Sequence, residues 1–64
     1  MRWTDYREIA ALLAEHYPEV DPQQVRFSQL RSWVLTLPEF TDNPDYCGER
    51  VLEAIQQAWM DEVS

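Results

Sequence analysis

Carboxylates are the side chains of this sequence that could do chemistry. The chain has 64 residues, with 12 Asp and Glu side chains against five Lys and Arg, and its formal net charge is -7. A surface with this excess attracts cations and basic protein surfaces in a salt-dependent way, and it repels phosphate backbones and anionic lipid. We therefore expect a positively charged partner or ligand, no nucleic acid and no membrane.

The first group of carboxylates follows the N-terminal part of the chain at heptad-like spacing. Asp5, Glu8, Glu15 and Glu19 share one outward face if the first helix extends that far, with Leu12 between them. This face is either an ordinary solvated helix surface or a docking stripe for a basic partner, in which Leu12 is an apolar anchor. The spacing alone leaves both interpretations open.

The second group lies near the C-terminus and is harder to explain as structure. Asp61 and Glu62 fall in the last turn of a predicted third helix, where carboxylates oppose the helix dipole at a cost of about 0.3–1 kcal/mol each. Glu49 and Glu53 form a like-charge pair four residues apart, although Arg50 lies close by. Charges placed where they destabilise a helix, with no compensating contact, often mark a functional surface. A frayed acidic terminus remains the alternative.

The sequence favours no enzyme and no structural zinc site. His16 is the only histidine and Cys47 the only cysteine, so neither a zinc ligand set nor an internal disulfide can form. We interpret Cys47 as a small filler whose acidic neighbours disfavour the thiolate. No EF-hand loop, phosphate-binding glycine loop or catalytic triad pattern is present. Clustered carboxylates can still hold hard cations, including iron, weakly through oxygen ligands.

The first predicted helix begins near Thr4 or Asp5, either of which can be its N-cap. Asp5 and Glu8 have the spacing of a capping box. Pro18 ends the helix, because the residue before a proline avoids the α region. The residues expected to face the core recur at helical spacing: Tyr6, Ile9, Ala10, Leu13 and Tyr17.

A short turn and a second helix follow. Asp21 before Pro22 has the form of a cap followed by a proline at the first helical position. Residues 25–27 alternate apolar, polar and apolar, which predicts a very short strand, and Ser28 is the predicted cap of the second helix. Pro38 stops that helix. Its apolar stripe comprises Leu30, Trp33, Val34 and Leu37.

The third helix is predicted from about Tyr46 or Gly48 to Glu62, after a turn-rich loop over residues 41–44 that Phe40 anchors to the core. Its apolar face comprises Val51, Leu52, Ile55, Ala58 and Trp59. We predict a mainly α, three-helix single domain over residues 1–64, resembling a helix-turn-helix or modified winged helix. With no signal peptide and no membrane-length apolar run, we expect a cytoplasmic protein. We also expect it to be a monomer.

A helix-turn-helix pattern raises DNA binding as an alternative. The second helix would then read DNA with Gln29, Arg31 and Ser32, with Arg26 just before it. A DNA-binding module normally carries a basic patch that displaces counterions from phosphates. The alternative function is therefore a transcriptional regulator of winged-helix type. The net charge of -7 argues against it, because such a surface repels the DNA backbone.

The ordered series of short segments along the chain resembles the IscX (YfhJ) family over essentially its whole length. No single segment is specific for the family, but the order of the segments in a 64-residue acidic chain is specific for it. The segments are Trp3-Thr4-Asp5, Arg7-Glu8-Ile9, Tyr17-Pro18, Asp21-Pro22, Val25-Arg26-Phe27 and Leu52-Glu53-Ala54-Ile55, closing with Trp59, Asp61 and Glu62.

The resemblance implies an accessory role in iron–sulfur cluster assembly rather than an enzymatic one. Proteins of this family have a fold described as a modified winged helix. They bind the cysteine desulfurase IscS through an acidic surface, near the frataxin-binding position, so competition with frataxin is implied. They bind Fe(II) or Fe(III) weakly, with no tightly bound cofactor. An alternative within the same family role is an iron chaperone that donates Fe(II).

Carried onto this sequence, the resemblance implies two overlapping residue sets. The partner-binding set is Asp5, Glu8, Glu15, Glu19, Asp61 and Glu62. The weak iron-binding set is Asp5, Glu8, Glu49, Glu53, Asp61 and Glu62.

This chain also departs from the family pattern. The family often has aspartate at Gln29 and consecutive acids at Asp42 and Asn43, so an iron site that used those positions is weakened here. Residues 45–48 also differ from the usual start of the third helix, and Gly48 is expected to loosen it.

Overall fold

A computed structural model describes residues 1–64 and contains three α-helices and no strand. Helix α1 spans Tyr6–His16, α2 spans Phe27–Thr36 and α3 spans Glu49–Val63, and single 3₁₀ turns at Pro22–Gln24 and Pro44–Tyr46 precede α2 and α3. The predicted mainly α, three-helix class is confirmed. None of the helices has both the length and the apolar character that a membrane span requires.

The predicted strand at residues 25–27 is wrong. Val25 and Arg26 have extended dihedral angles, but no second extended segment lies beside them to form a ladder, and Phe27 is already the first residue of α2. Arg26 therefore occupies the N-cap position that we predicted for Ser28, and its side chain makes no capping hydrogen bond. Without a strand, the resemblance to a winged helix is not confirmed.

Eleven buried hydrophobic side chains form one core between the three helices. No polar or charged residue is buried, so the chain places all its carboxylates at or near the surface. Each helix contributes residues at i, i+3 and i+4 spacing, as the apolar periodicity predicted. The core comprises Trp3, Ile9, Ala10, Leu13, Val25, Leu30, Val34, Leu37, Leu52, Ile55 and Trp59.

Three aromatic rings connect the helices through the core. Tyr17, just after α1, stacks on Trp33 of α2 with ring centroids 4.3 Å apart and planes 16° apart. Trp33 in turn meets Trp59 of α3 edge-on at 6.2 Å. Such aromatic pairs add to the apolar area that they bury. The chain of rings fixes the three helices relative to one another.

Trp3 holds the N-terminal segment against the loop between α2 and α3. Its indole is 2% exposed, and its Nε1 donates a hydrogen bond of 2.8 Å to the carbonyl of Asn43. The ring of Phe40 meets Trp3 edge-on at 4.6 Å, so the prediction that Phe40 anchors this loop is confirmed. Trp3 is therefore a core residue and not part of the start of α1.

The predicted capping box of α1 is also wrong. Asp5 is the N-cap residue by position, but its carboxylate accepts the amide of Arg2 at 2.8 Å instead of an amide of the helix. The reason is the tight turn before the helix, in which the Asp5 amide donates back to the Arg2 carbonyl. The side chain of Asp5 therefore stabilises the turn that leads from Trp3 into α1.

The predicted cap and proline pair at Asp21 and Pro22 is confirmed, and the chain uses the same device twice. The Asp21 carboxylate accepts the amide of Gln23 at 3.0 Å, and the Asn43 side chain accepts the amide of Asp45 at 2.9 Å. In both cases a proline opens the 3₁₀ turn, where its missing N–H costs nothing.

Candidate docking surface

The carboxylates cover the outside of the helical bundle. Asp42 is half-buried, and the other eleven Asp and Glu side chains are exposed. Exposed like charges repel one another through water only weakly, but their summed field extends about 8–10 Å at moderate ionic strength. The arrangement of the carboxylates therefore decides where this field is strongest.

The first turns of α1 and the last turns of α3 lie side by side. One surface depression is lined by Arg7 of α1 together with Ala58, Asp61 and Glu62 of α3. A second depression is lined by residues 4–8, the segment that opens α1. Arg7 lines both depressions. We call the surface formed by Asp5, Arg7, Glu8, Ala58, Asp61 and Glu62 the α1–α3 acidic surface.

This surface joins carboxylates that lie more than 50 residues apart in the chain. Its four carboxylates and one guanidinium carry a formal charge of -3. Glu8 lies in the first turn of α1, where a negative charge is favourable, whereas Asp61 and Glu62 lie at the end of α3, where it is unfavourable. The last turn of α3 contains no basic residue that would offset this repulsion.

Glu15 and Glu19 stand apart from this surface. Glu15 is exposed on α1, about 10 Å along the helix axis from Glu8 at 1.5 Å per residue. Helix α1 ends at His16, so Glu19 lies in the turn beyond the helix and does not continue its face. Leu12 is half-buried and packs against the core, which leaves only part of its side chain for a partner.

Glu49 and Glu53 lie elsewhere on α3. Glu49 opens the helix. Glu53 lines a separate depression on the outer side of α3 with Arg50, Ala54, Gln56, Gln57 and Met60. The predicted iron-binding residues are thus distributed over more than one face. No group of three or more His, Cys, Asp and Glu side chains lies close enough together to hold a metal ion.

The carboxylate of Asp42 holds the loop between α2 and α3 against the N-terminal segment, a role that the sequence analysis did not predict. It accepts the amide of Trp3 at 3.1 Å and the amide of Asn43 at 2.8 Å. These two hydrogen bonds hold the pKa of Asp42 below its ordinary value, since they favour the charged form. Asp42 and Asn43, which we had considered as turn formers and as a weakened acid pair, attach the loop to Trp3.

Cys47 and Arg31 meet beside the same loop. Burial raises the pKa of the Cys47 thiol, and the nearby Arg31 guanidinium partly opposes this shift. The main cause of the raised pKa is therefore desolvation and not the acidic neighbours that we had named. Arg31 also donates a hydrogen bond of 3.2 Å to the carbonyl of Pro44. Arg31 is the arginine with which a DNA-binding second helix would contact DNA, and here it binds a carbonyl of its own chain.

The comparisons with known proteins agree with the resemblance found in the sequence. A family model described as iron-sulphur cluster assembly matches residues 1–64. A protein of Pseudomonas aeruginosa that is described as uncharacterized is 58% identical over 62 residues, which are 97% of this chain and 94% of that protein. The match covers every element of the fold, from Trp3 to the acidic end of α3. The chain belongs to the IscX (YfhJ) family of iron–sulphur cluster assembly.

Proposed function

We propose that this protein is an accessory protein of iron–sulfur cluster assembly that docks on a cysteine desulfurase, IscS, through the α1–α3 acidic surface. The observation that carries the proposal is that Arg7 lines one depression with Asp5 and Glu8 and another with Asp61 and Glu62, so that the four carboxylates belong to one surface of charge -3. Membership of the assembly family supplies the process. The partner contributes a basic surface of complementary charge.

Docking of this kind acts by occupancy and needs no catalytic residue in this chain. Complementary charges steer the encounter and raise the association rate above that of a neutral pair. Once bound, the protein would cover part of the desulfurase and so change sulfur delivery or the access of other assembly proteins. The family resemblance implies that frataxin binds near the same position, so we propose that frataxin competes with this protein.

Iron enters this proposal as a weakly bound cation that tunes docking. Fe(II) and Fe(III) are hard cations that carboxylate oxygens attract. An iron ion on the acidic surface would neutralise part of the negative charge that attracts the partner. The iron-chaperone alternative requires a defined ligand set. The spread of the candidate carboxylates over separate faces supports the tuning role instead.

The test is a calorimetric titration of the protein into its cognate cysteine desulfurase at about 50 and about 300 mM salt. The Debye length shortens roughly 2.4-fold between these two conditions. We expect saturable binding at the lower salt that weakens at least tenfold at the higher salt. The same titration without the desulfurase in the cell corrects for dilution heat. Absence of binding at low salt would reject the proposed partner, and salt-independent binding would reject the acidic surface as the contact.

A further inference from the structure

Arg7 is the one positive charge in the α1–α3 acidic surface, and it lies at its centre. It lines the depression formed by the opening segment of α1 and also the depression formed with Asp61 and Glu62. One pair of carboxylates, Asp5 and Glu8, therefore lies at the start of α1 beside Arg7, and the other pair lies across the depression on α3. The surface has an alternating pattern of negative, positive and negative charge.

The guanidinium of Arg7 is free to bind a partner. Its side chain is exposed, and it makes no hydrogen bond to the rest of the chain, whereas Arg31 donates to the Pro44 carbonyl. A guanidinium offers up to five N–H donors in a planar fork that matches the two oxygens of a carboxylate. Arginine is one of the residue types enriched among the few interface positions that dominate binding, and such positions cluster near the centre of an interface.

A uniformly basic partner surface would meet repulsion at Arg7. Two like charges about 4 Å apart repel by about 1 kcal/mol even in bulk water, and by more when the interface excludes water. A partner that fits the whole surface has basic groups opposite both carboxylate pairs and an acceptor between them. Charge complementarity at this point would fix the register of the complex.

We propose that Arg7 is a specificity-determining contact of the docking surface, which donates to a carboxylate on the partner that is flanked by basic side chains. The proposal deepens the docking function and rests on it. It identifies the partner surface by its chemistry, which is a basic patch interrupted by one acidic residue. A purely basic patch would bind the four carboxylates only by displacing or avoiding Arg7.

The proposal predicts that replacing Arg7 weakens binding to the partner, whereas net charge alone predicts that it strengthens binding. Replacing Arg7 by Gln changes the net charge from -7 to -8, and attraction to a basic partner alone would then increase. If Arg7 contacts a partner carboxylate, R7Q instead weakens binding, because a charged hydrogen bond is lost and the partner carboxylate is left without its donor. The direction of the change therefore separates the two explanations.

The experiment compares R7Q with R50Q in calorimetric titrations against the cysteine desulfurase at about 50 mM salt. Arg50 is a matched control, since it is also exposed, lies near the start of a helix and borders a glutamate, but it lies on the outer side of α3. We expect R7Q to bind about tenfold more weakly than the wild type, the loss expected for one charged hydrogen bond. R50Q should bind as well as the wild type or slightly better.

The outcomes separate this inference from the docking function itself. Wild-type binding with R7Q as tight as R50Q, or tighter, would overturn the role of Arg7 and leave the acidic surface standing. Failure of the wild type to bind would overturn both. We expect R7Q to keep α1 folded, because removing a cation from the first turn of a helix favours the helix dipole. Circular dichroism of both variants verifies this.

Discussion

The backbone amide of Trp3 donates a hydrogen bond of 3.1 Å to the carboxylate of Asp42, although the two residues are 39 positions apart in the chain. The neighbouring contact from the Trp3 indole to the Asn43 carbonyl lies at 2.8 Å. Together they attach the N-terminal segment to the loop between α2 and α3. Because Trp3 leads directly into α1, these bonds also set where the first turn of α1 and its carboxylates lie.

Acid should destabilise the protein through Asp42. The pKa of its carboxyl is lowered in the folded protein by the amides of Trp3 and Asn43, so Asp42 contributes stability above the ordinary value of 3.8 and loses it as the pH falls through the lowered folded value. We expect D42N to be less stable than the wild type at pH 7, and the difference to shrink below about pH 4. Urea unfolding between pH 7 and 3 measures this.

The matched control is D45N. Asp45 is exposed, and its carboxylate accepts no hydrogen bond within the chain, since its contact with Asn43 uses its own amide. D45N should unfold with the same pH dependence as the wild type. A pH-independent difference between D42N and the wild type would contradict the assigned role of the Asp42 carboxylate.

Trp3 should contribute as much stability as a residue at the centre of the core. Replacing it by Ala removes a buried indole and leaves a cavity, which typically costs about 3–5 kcal/mol. A 64-residue domain has a stability of similar size, so we expect W3A to be largely unfolded at 25 °C. Thermal unfolding followed by circular dichroism checks this. Y46A, at a ring that is 68% exposed, should change stability by less than about 0.5 kcal/mol.

Gly48 should be replaceable with a gain in stability. It is the N-cap of α3, its dihedral angles of -107° and 172° suit any residue, and an added Cβ would meet no atom within 4 Å. G48S supplies a hydroxyl that can accept an amide of the first turn and also restricts the unfolded chain. Together these effects stabilise by about 0.5–1 kcal/mol. The melting temperature should rise by about 2–8 °C; an unchanged or lower value would show that the cap is not formed.

Charge reversal should identify the docking surface. We expect D61K to weaken binding to the cysteine desulfurase at low salt at least tenfold, because Asp61 lies in the α1–α3 acidic surface. D61K also places a cation at the end of α3, which favours the helix dipole, so lost binding would not reflect lost folding. The control D45K makes the same charge change outside the surface. Equal losses in D61K and D45K would contradict the assignment of the surface.

Iron should bind without a single defined site. In an anaerobic Fe(II) titration followed by NMR, we expect paramagnetic broadening at several exposed carboxylates, with no saturation at one stoichiometric equivalent, because the candidate residues lie on separate faces of the helices. Saturable broadening confined to one cluster would instead support the iron-chaperone alternative. Zn(II) at the same concentration is a diamagnetic control for shifts that follow from charge alone.

Sequence periodicity predicted the helices because their determinants are local. The spacing of Ile9, Leu13 and the other core residues follows the 3.6-residue period, and Pro18 and Pro38 stop the helices that precede them. The errors were local as well. Residues 25–27 alternate like a strand, but an isolated strand has no ladder partner, and the turn before α1 takes the Asp5 carboxylate away from the predicted cap.

The amino-acid sequence by itself determined the strong negative charge, the three-helix class and the family of this protein, since each depends on composition, local periodicity or the order of residues. Only the tertiary structure decided that Asp61 and Glu62 line one depression with Arg7 at the start of α1, and that Trp3 and Asp42 join distant segments. The physical reason is that helical periodicity defines the faces of each helix, whereas the packing of the whole core decides which faces become neighbours.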